Sequence, residues 1–324
     1  YIVIPLSIIP MMVLSGAMFP FDKLNRQIGS VEKVPVIAEL MPTRWTYEAL
    51  MVSQFKDNRY SRVKYTREGD TYYSLQKKIS EADFNKVYRI PELKKALNAA
   101  LEEYRKKSEQ SAAYGKNKTS HEFNNLQLIR NELIKVSRTY NLPPFGYMSY
   151  LTSYEFNPVV ADSVYSYLTK LDDHFSKISI TASDVKDRFY ILNDKNLDRM
   201  RDDYYNYKLE EIVTKYYERN KILLHENSLI QNTDPVYLDP QKRGFLGFRT
   251  HFFAPAKYIF GIKTDTYTFN ILLVLLTTIL WYLILYYDLL SKLVSFVEKF
   301  KFRRELFKKI KFNFNIFVLI ILIV

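Results

Sequence analysis

The sequence contains no cysteine. That removes disulfides, zinc ribbons, thiolate nucleophiles and iron–sulfur ligation, without fixing the compartment. Histidine is nearly as scarce: His121, His174, His225 and His251 are scattered and show no ligand spacing, so no metal site is expected. Asp172-Asp173-His174 would need a further ligand from another helix and reads as a solvated helix face. A phosphate-binding loop of the GxxxxGK[ST] kind is also missing. Gly115-Lys116-Asn117-Lys118-Thr119 lacks the first glycine and the preceding apolar strand, so nucleotide hydrolysis does not reside in these residues. The carboxylate pairs Glu102-Glu103, Asp202-Asp203 and Glu210-Glu211 occupy adjacent positions, which point to different parts of a helix surface, and no catalytic residue is assigned. There is no internal repeat, and no strand pattern beyond a short one near Val63 to Tyr73.

Two stretches lack charge altogether. Tyr1 to Phe21 and Ile271 to Tyr287 carry none, whereas the residues between are dense in Lys, Glu, Asp and Asn. Extended by Tyr267 to Asn270 and by Leu289 and Leu290, the second stretch is long enough to cross a hydrocarbon core of about 30 Å. Its apolar residues run all the way round, unlike those of a helix with one solvated face. Trp281, Tyr282, Tyr286 and Tyr287 suit its interfacial end. Beyond it, Lys292, Lys299, Lys301, Arg303, Arg304, Lys308, Lys309 and Lys311 outnumber Asp288, Glu298 and Glu305, which places this flank in the cytoplasm by the positive-inside rule. The long middle segment is then extracytoplasmic. In the basic flank Phe296, Phe300, Phe307 and Ile310 recur near helical spacing, as in a helix lying in the headgroup layer or simply a solvated charge run. The apolar end, Phe312 to Val324, is too short to span alone.

The chain starts on Tyr1 within an apolar run, and its natural start is expected upstream; a signal peptide is the competing reading, since Ser15-Gly16-Ala17 would suit a peptidase. Pro5, Pro10, Gly16 and Pro20 interrupt the run, and such breaks survive at membrane depth only where protein or a cavity satisfies the freed backbone groups. Met11 and Met12 add an adaptable apolar surface. The net charge of +12 with 27 tyrosines does not indicate nucleic acid, because much of the excess belongs to the basic flank.

The middle segment reads as mainly helical. Pro91 is expected to open a helix whose stripe is Leu93, Leu97, Leu101 and Tyr104, widened by Ala96 and Ala100. Further helices are expected over His121 to Tyr140, Pro158 to Lys177 and Ser183 to His225, the last bending or pairing as a coiled-coil-like hairpin, with breaks at Leu142 to Gly146 and from Asp234 to Gly247. Between the first apolar run and this segment lies LMPTRWTYEALMVSQF, residues 40–55. Pro42 can open a helix there, Trp45, Ala49 and Val52 share a side, and Arg44 stands four residues before Glu48. An exposed pair of that kind contributes only about 0.3–0.5 kcal/mol, a poor reason to place charges in such a segment.

The succession IPLSIIPMMVLSGAMFPFDKLN, PVIAELMPTRWTYEALMVSQFKDN and HFFAPAKYIFGIKTDTYTFNILLVLLTTILWYLILYYD resembles the end of the permease of type-2 ABC exporters of the white or pleiotropic-drug-resistance-like group, in the bacterial, Bacteroidetes-type form with a cassette fused upstream. The resemblance covers residues 1–60 and 235–291; the helical insert matches in position only. It implies a mainly α chain: the end of a multi-span helical membrane domain with a large helical extracytoplasmic insert before the last transmembrane helix. Residues 1–26 would end the penultimate span, 27–60 form a re-entrant or interfacial connector, 61–264 the insert, 265–291 the last span and 292–324 a basic amphipathic cytoplasmic tail with an apolar end.

The family's Ser-Gly region falls on Ser15-Gly16 and its re-entrant segment on Pro42-Thr43-Arg44-Trp45 and Glu48-Ala49-Leu50. The transport path implied is Met11, Met12, Ser15, Gly16, Ala17, Met18 and Phe19, and the connector residues are Pro42, Arg44, Trp45 and Glu48. Some members carry a leucine pair after Ser-Gly as a hydrophobic valve; Ala17-Met18 stands here instead, leaving Met18 and Phe19 to make it. The implied function is export of an apolar or amphipathic substrate by alternating access from the bacterial inner membrane, with residues 27–264 extracytoplasmic and the C-terminus cytoplasmic. No cofactor is expected in these residues; ATP and Mg would belong to the upstream cassette. The implied partners are membrane lipid, a second permease copy, the ATP-binding cassette and a periplasmic partner of the insert, whose role would be to cap the exit or dock that partner. A membrane-anchored extracytoplasmic helical binding or scaffolding domain without transport is the alternative.

Overall fold

The computed structural model describes residues 3–23, 31, 33–113, 124–152, 155–240, 247–289 and 292. The expected amphipathic tail and its apolar end, residues 293–324, lie outside the described residues, as does most of the 24–32 link. The chain is mainly helical and divides into two compact units. One comprises residues 1–50, 243–249 and 257–324, the other residues 51–242 and 250–256.

In the first unit α1 (Val3–Val13) carries Pro10 internally and stops in a turn where Gly16 takes a φ of +81°, a left-handed conformation glycine adopts without steric cost. Ser15 closes that turn, its hydroxyl donating to the Met12 carbonyl at 2.6 Å and accepting from the Ala17 amide at 3.1 Å. A short α2 (Val36–Glu39) precedes α3 (Pro42–Lys56), which begins with Pro42 at its first position, where the missing N–H costs nothing. Much later, α9 (Thr266–Tyr286) starts on Asp265, whose carboxylate accepts from the Tyr267 amide at 3.0 Å. Its 21 residues extend about 31 Å at 1.5 Å per residue. Among the described residues this is the one helix long and apolar enough to cross a membrane. It buries only Thr266, Phe269 and Asn270, while Leu272, Leu275, Leu276, Ile279 and Leu280 are each more than half exposed.

The second unit is built on a long helical path, α4 (Tyr72–Phe84) into α5 (Ile90–Ala113), joined without interruption by a π-helical turn over Asn85–Arg89. Pro91 was expected to start a helix, but the chain is already helical there. The wider turn accommodates a residue that has no N–H and whose ring crowds the carbonyl one turn earlier. Thr71 and Ser74 form a reciprocal capping box at the start of α4. The expected stripe on α5 is the buried one: Leu93, Ala96, Leu97 and Ala100 are in the core, with Leu101 and Tyr104 packed against it.

That core is completed by α6 (Asn124–Tyr140) through Leu126, Ile129, Leu133 and Val136, and by α7 (Pro158–Tyr204) through Val164, Leu168, Leu171 and Phe175. Asn157 caps α7, accepting from the Val160 amide at 3.0 Å, with Pro158 at the first turn as its sequence suggests. Two expected helices are in fact one: α7 runs through 178–182, where Ala182 joins the buried face, and kinks at Asn193. The Asn193 side chain there donates to the Phe189 carbonyl at 2.9 Å.

Nor does the helix continue to His225. It ends at Tyr204, and α8 (Tyr207–Thr214), capped by Asn206, stops on Lys215 at φ +52°. Strands β1 (Ile222–His225) and β2 (Ser228–Gln231) then form an antiparallel hairpin. Glu226 and Asn227 both have positive φ, as its two-residue turn demands. A second hairpin, β3 (Ala256–Ile259) and β4 (Ile262–Asp265), turns on Phe260 and Gly261, again both at positive φ. The strand expected over Val63 to Tyr73 reduces to one antiparallel bridge, Lys64 with Thr71.

Buried charge also orders this unit. Glu132 of α6 is fully buried, accepts from the Leu229 amide at 2.9 Å and the Ser228 hydroxyl at 3.0 Å, and pairs with Arg89 at 3.3 Å. Arg89 in turn bonds Asn85, so the π-helical turn delivers both side chains inward to hold β2 on α6.

Candidate functional site

The charged pair spotted at residues 44 and 48 is not on a surface. Arg44 is 1% exposed and Glu48 0%, with their side chains 3.3 Å apart along one turn of α3. The energy of an exposed helix pair therefore does not apply. A buried charge must be matched by partners or it costs several kcal/mol.

Glu48 finds its other partners from the distal part of the chain. The β3–β4 hairpin brings Lys257, also 0% exposed, so that its ammonium lies 3.1 Å from Glu48 Oε1 and 3.0 Å from Oε2. The first turn of α9 supplies Asn270, whose amide donates to Glu48 Oε2 at 2.9 Å and to the Trp45 carbonyl at 3.1 Å. Asn270 Oδ1 is buried with no hydrogen-bond partner among the described residues. Trp45 roofs the cluster: the Arg44 guanidinium stacks 3.8 Å from its ring centroid and the Lys257 ammonium lies 5.3 Å from it. Its indole N–H donates to the Glu39 carbonyl at 2.7 Å, and its ring meets Phe269 at 5.8 Å. Arg249 adds a second clamp, donating to Glu39 Oε1 at 2.8 Å and to the Val34 carbonyl at 3.1 Å.

Two cations press on the Glu48 carboxylate, and the Glu39 carboxylate adds a second negative charge that acts on both of them. Burial pulls both bases down, Arg44 from its usual range and Lys257 to about 8, although the Glu48 charge opposes the fall in each. Burial alone would raise Glu48, but Arg44 and Lys257 beside it and the hydrogen bonds from Asn270 and Lys257 hold it below the usual carboxylate range. No atom here is set up as a nucleophile or general base toward an open cavity. The arrangement is a mechanical clasp that fastens α3 to the base of α9.

Of the sequence-predicted connector residues, Arg44, Trp45 and Glu48 converge in this clasp and half-buried Pro42 starts the helix that carries them. The residues named for a transport path lie on α1 and in the turn that follows it. Met11 is half-buried on α1, its carbonyl accepting from the Thr43 hydroxyl at 2.9 Å, while Met12 is half exposed. Ser15 and Gly16 are buried in the turn, and Ala17, Met18 and Phe19 are exposed beyond it. Sequence reasoning missed Lys257, Asn270 and Arg249. The only available signal was a lysine in the apolar stretch Phe252 to Phe260 and an asparagine at the head of an uncharged helix.

No family model matches the chain, and no curated protein or solved structure is significantly similar to it.

Proposed function

We propose that the chain is the C-terminal permease part of an ATP-driven ABC exporter that moves an apolar or amphipathic substrate out of the bacterial cytoplasm by alternating access. The observation that carries this reading is the clasp. The Pro-Thr-Arg-Trp and Glu-Ala-Leu segment for which the resemblance was drawn is tied through Arg44, Trp45 and Glu48 to the first turn of the apolar helix α9. A connector that re-enters the membrane before a last span needs such an attachment, because charges at that depth persist only when paired with one another. The bare apolar surface of α9 supports a lipid environment for it.

In this reading α9 is the last span, α3 the re-entrant connector, and the second unit the extracytoplasmic insert. Cassettes encoded upstream supply the energy, and two permease copies enclose the path. The residues here perform no covalent chemistry; they transmit movement, and the clasp lets α3 and α9 move as one body. Purified full-length protein in lipid should hydrolyse ATP in a vanadate-sensitive manner.

A second reading, a membrane-anchored helical binding domain without transport, is favoured by one observation: among the described residues only α9 passes the length and hydropathy test for a span. It predicts no ATPase activity in the full-length protein, so the same measurement separates the two.

A further inference from the structure

The second unit carries a groove of about 690 Å³ between α4 and α8, floored by the turn from Thr233 to Tyr237. In a chain of net charge +12, its lining is acidic: Asp83, Glu210, Glu211 and Asp234 stand against a single base, Lys221. Asp83 accepts from the Ser179 hydroxyl at 2.8 Å and Glu211 from the Tyr217 hydroxyl at 3.0 Å, neutral donors that leave both charges in place. Lys221 donates to the Tyr216 carbonyl at 2.7 Å, and its charge acts on Asp234, leaving the lining acidic by four carboxylates to one ammonium. None of the four carboxylates forms an ion pair among the described residues. Burial pushes Glu210 and Asp234 up, against the opposing hydrogen bond from Tyr205 at Glu210 and those from Ser80 and Thr233 and the Lys221 charge at Asp234.

Aromatic faces complete the wall. Tyr207 and Tyr216 are 53% and 68% exposed at its edge. Tyr237, only 3% exposed, packs its ring on Phe55 and Tyr73 with centroids 5.8 and 5.4 Å away. It lines the groove, and its hydroxyl has no hydrogen-bond partner among the described residues. The ring is buried, while the hydroxyl is not among the enclosed polar atoms and is open to a partner in the groove. Four carboxylates against one lysine, beside tyrosine faces and a phenolic oxygen, are the recognition chemistry of an ammonium ion on an apolar body.

We propose that this groove is a binding site for an organic ammonium ion, with Glu210 and Asp234 facing its charge, Tyr216 and Tyr207 its apolar part, and the Tyr237 hydroxyl accepting one of its N–H groups. The proposal rests on the groove alone and is independent of the export reading.

The test is titration of the full chain in lipid nanodiscs with benzylammonium, benzyl alcohol and benzoate, followed by tyrosine fluorescence and saturation-transfer NMR. Benzylammonium should saturate with a Kd on the order of 1 mM, as befits a ligand of so few atoms. The neutral and anionic analogues should bind at least tenfold more weakly. The isosteric double variant Glu210→Gln/Asp234→Asn should weaken benzylammonium tenfold or more. Tyr216→Ala and Tyr237→Phe, changes at an exposed ring and at an unpartnered hydroxyl, should each weaken it about threefold. These two decide the matter if the double variant loses its helical circular dichroism. Equal binding of benzyl alcohol, no saturation by benzylammonium up to about 20 mM, or unchanged affinity in both tyrosine variants overturns the proposal.

Discussion

The ammonium of Lys257 rests against both oxygens of the Glu48 carboxylate, at 3.1 and 3.0 Å, although 209 residues separate the two in sequence. Neither side chain is exposed to solvent. The pair is the join between a helix near the start of the chain and the hairpin that leads into the long apolar helix α9.

Removing the anion should do more harm than removing either cation. Glu48→Leu leaves Arg44 and Lys257 buried without the carboxylate between them, and a cost of roughly 3–5 kcal/mol is expected from breaking a buried pair in this way. Lys257→Met keeps the Arg44–Glu48 pair and fills similar space, and should change stability by less than about 1.5 kcal/mol. Thermal unfolding of both variants in detergent checks the order; equal losses would show that the charges do not communicate.

The cluster also has a pH signature. Burial pulls Lys257 down to about 8 in the folded chain from its ordinary value of 10.5. Between these values the unfolded chain binds the extra proton, so stability contributed by this group rises with pH across that window and is flat below it. The unfolding midpoint of the wild type should climb from about pH 8 toward 10.5, and the climb should be absent in Lys257→Met. A climb of equal size in the variant would assign it to other groups.

How much of this was legible in the sequence depends on the distance over which each feature is specified. The α5 stripe, the Pro42 start and the break after Tyr140 are local: periodicity, a first-turn proline and Asn141 at φ +57° each act within a few residues. The Arg44–Glu48 pair was visible as a spacing, but its burial was not, because burial depends on Lys257 and Asn270 arriving from far along the chain. The hairpins escaped notice because each strand has only four residues and the β1–β2 turn uses Glu226-Asn227 in place of the usual glycine-containing pair. The Phe260-Gly261 turn did offer a glycine. Continuity of helix through Pro91 was hidden for another reason: a π-helical turn absorbs the proline, and no residue pattern announces one.

In the second unit, Glu132→Gln should retain the hydrogen bonds to β2 in part while leaving Arg89 buried without its anion. A loss of about 3 kcal/mol or more is expected, against much less for the exposed Glu92→Gln, whose partner Lys95 is 79% exposed. Limited proteolysis of the insert reports the difference. Similar protection in both variants would mean that the Arg89 contact carries little energy.

Because these 324 residues contain no cysteine, introduced cysteines can report the topology of this part of the chain. With Asp162→Cys in α7 and Lys292→Cys beyond α9, an impermeant maleimide should label the first in intact spheroplasts and the second only after permeabilisation. The reverse pattern would invert the assignment of the insert to the outside.

The claim of export is tested most directly by ATP-driven accumulation of amphipathic dyes in inverted membrane vesicles containing the full-length protein, alongside its Arg44→Ala and Glu48→Gln variants at matched membrane levels. The account predicts vanadate-sensitive accumulation by the wild type and a loss of at least tenfold in both variants, because α3 is then no longer fastened to α9. Wild-type vesicles that accumulate nothing, or variants that transport normally, would contradict it.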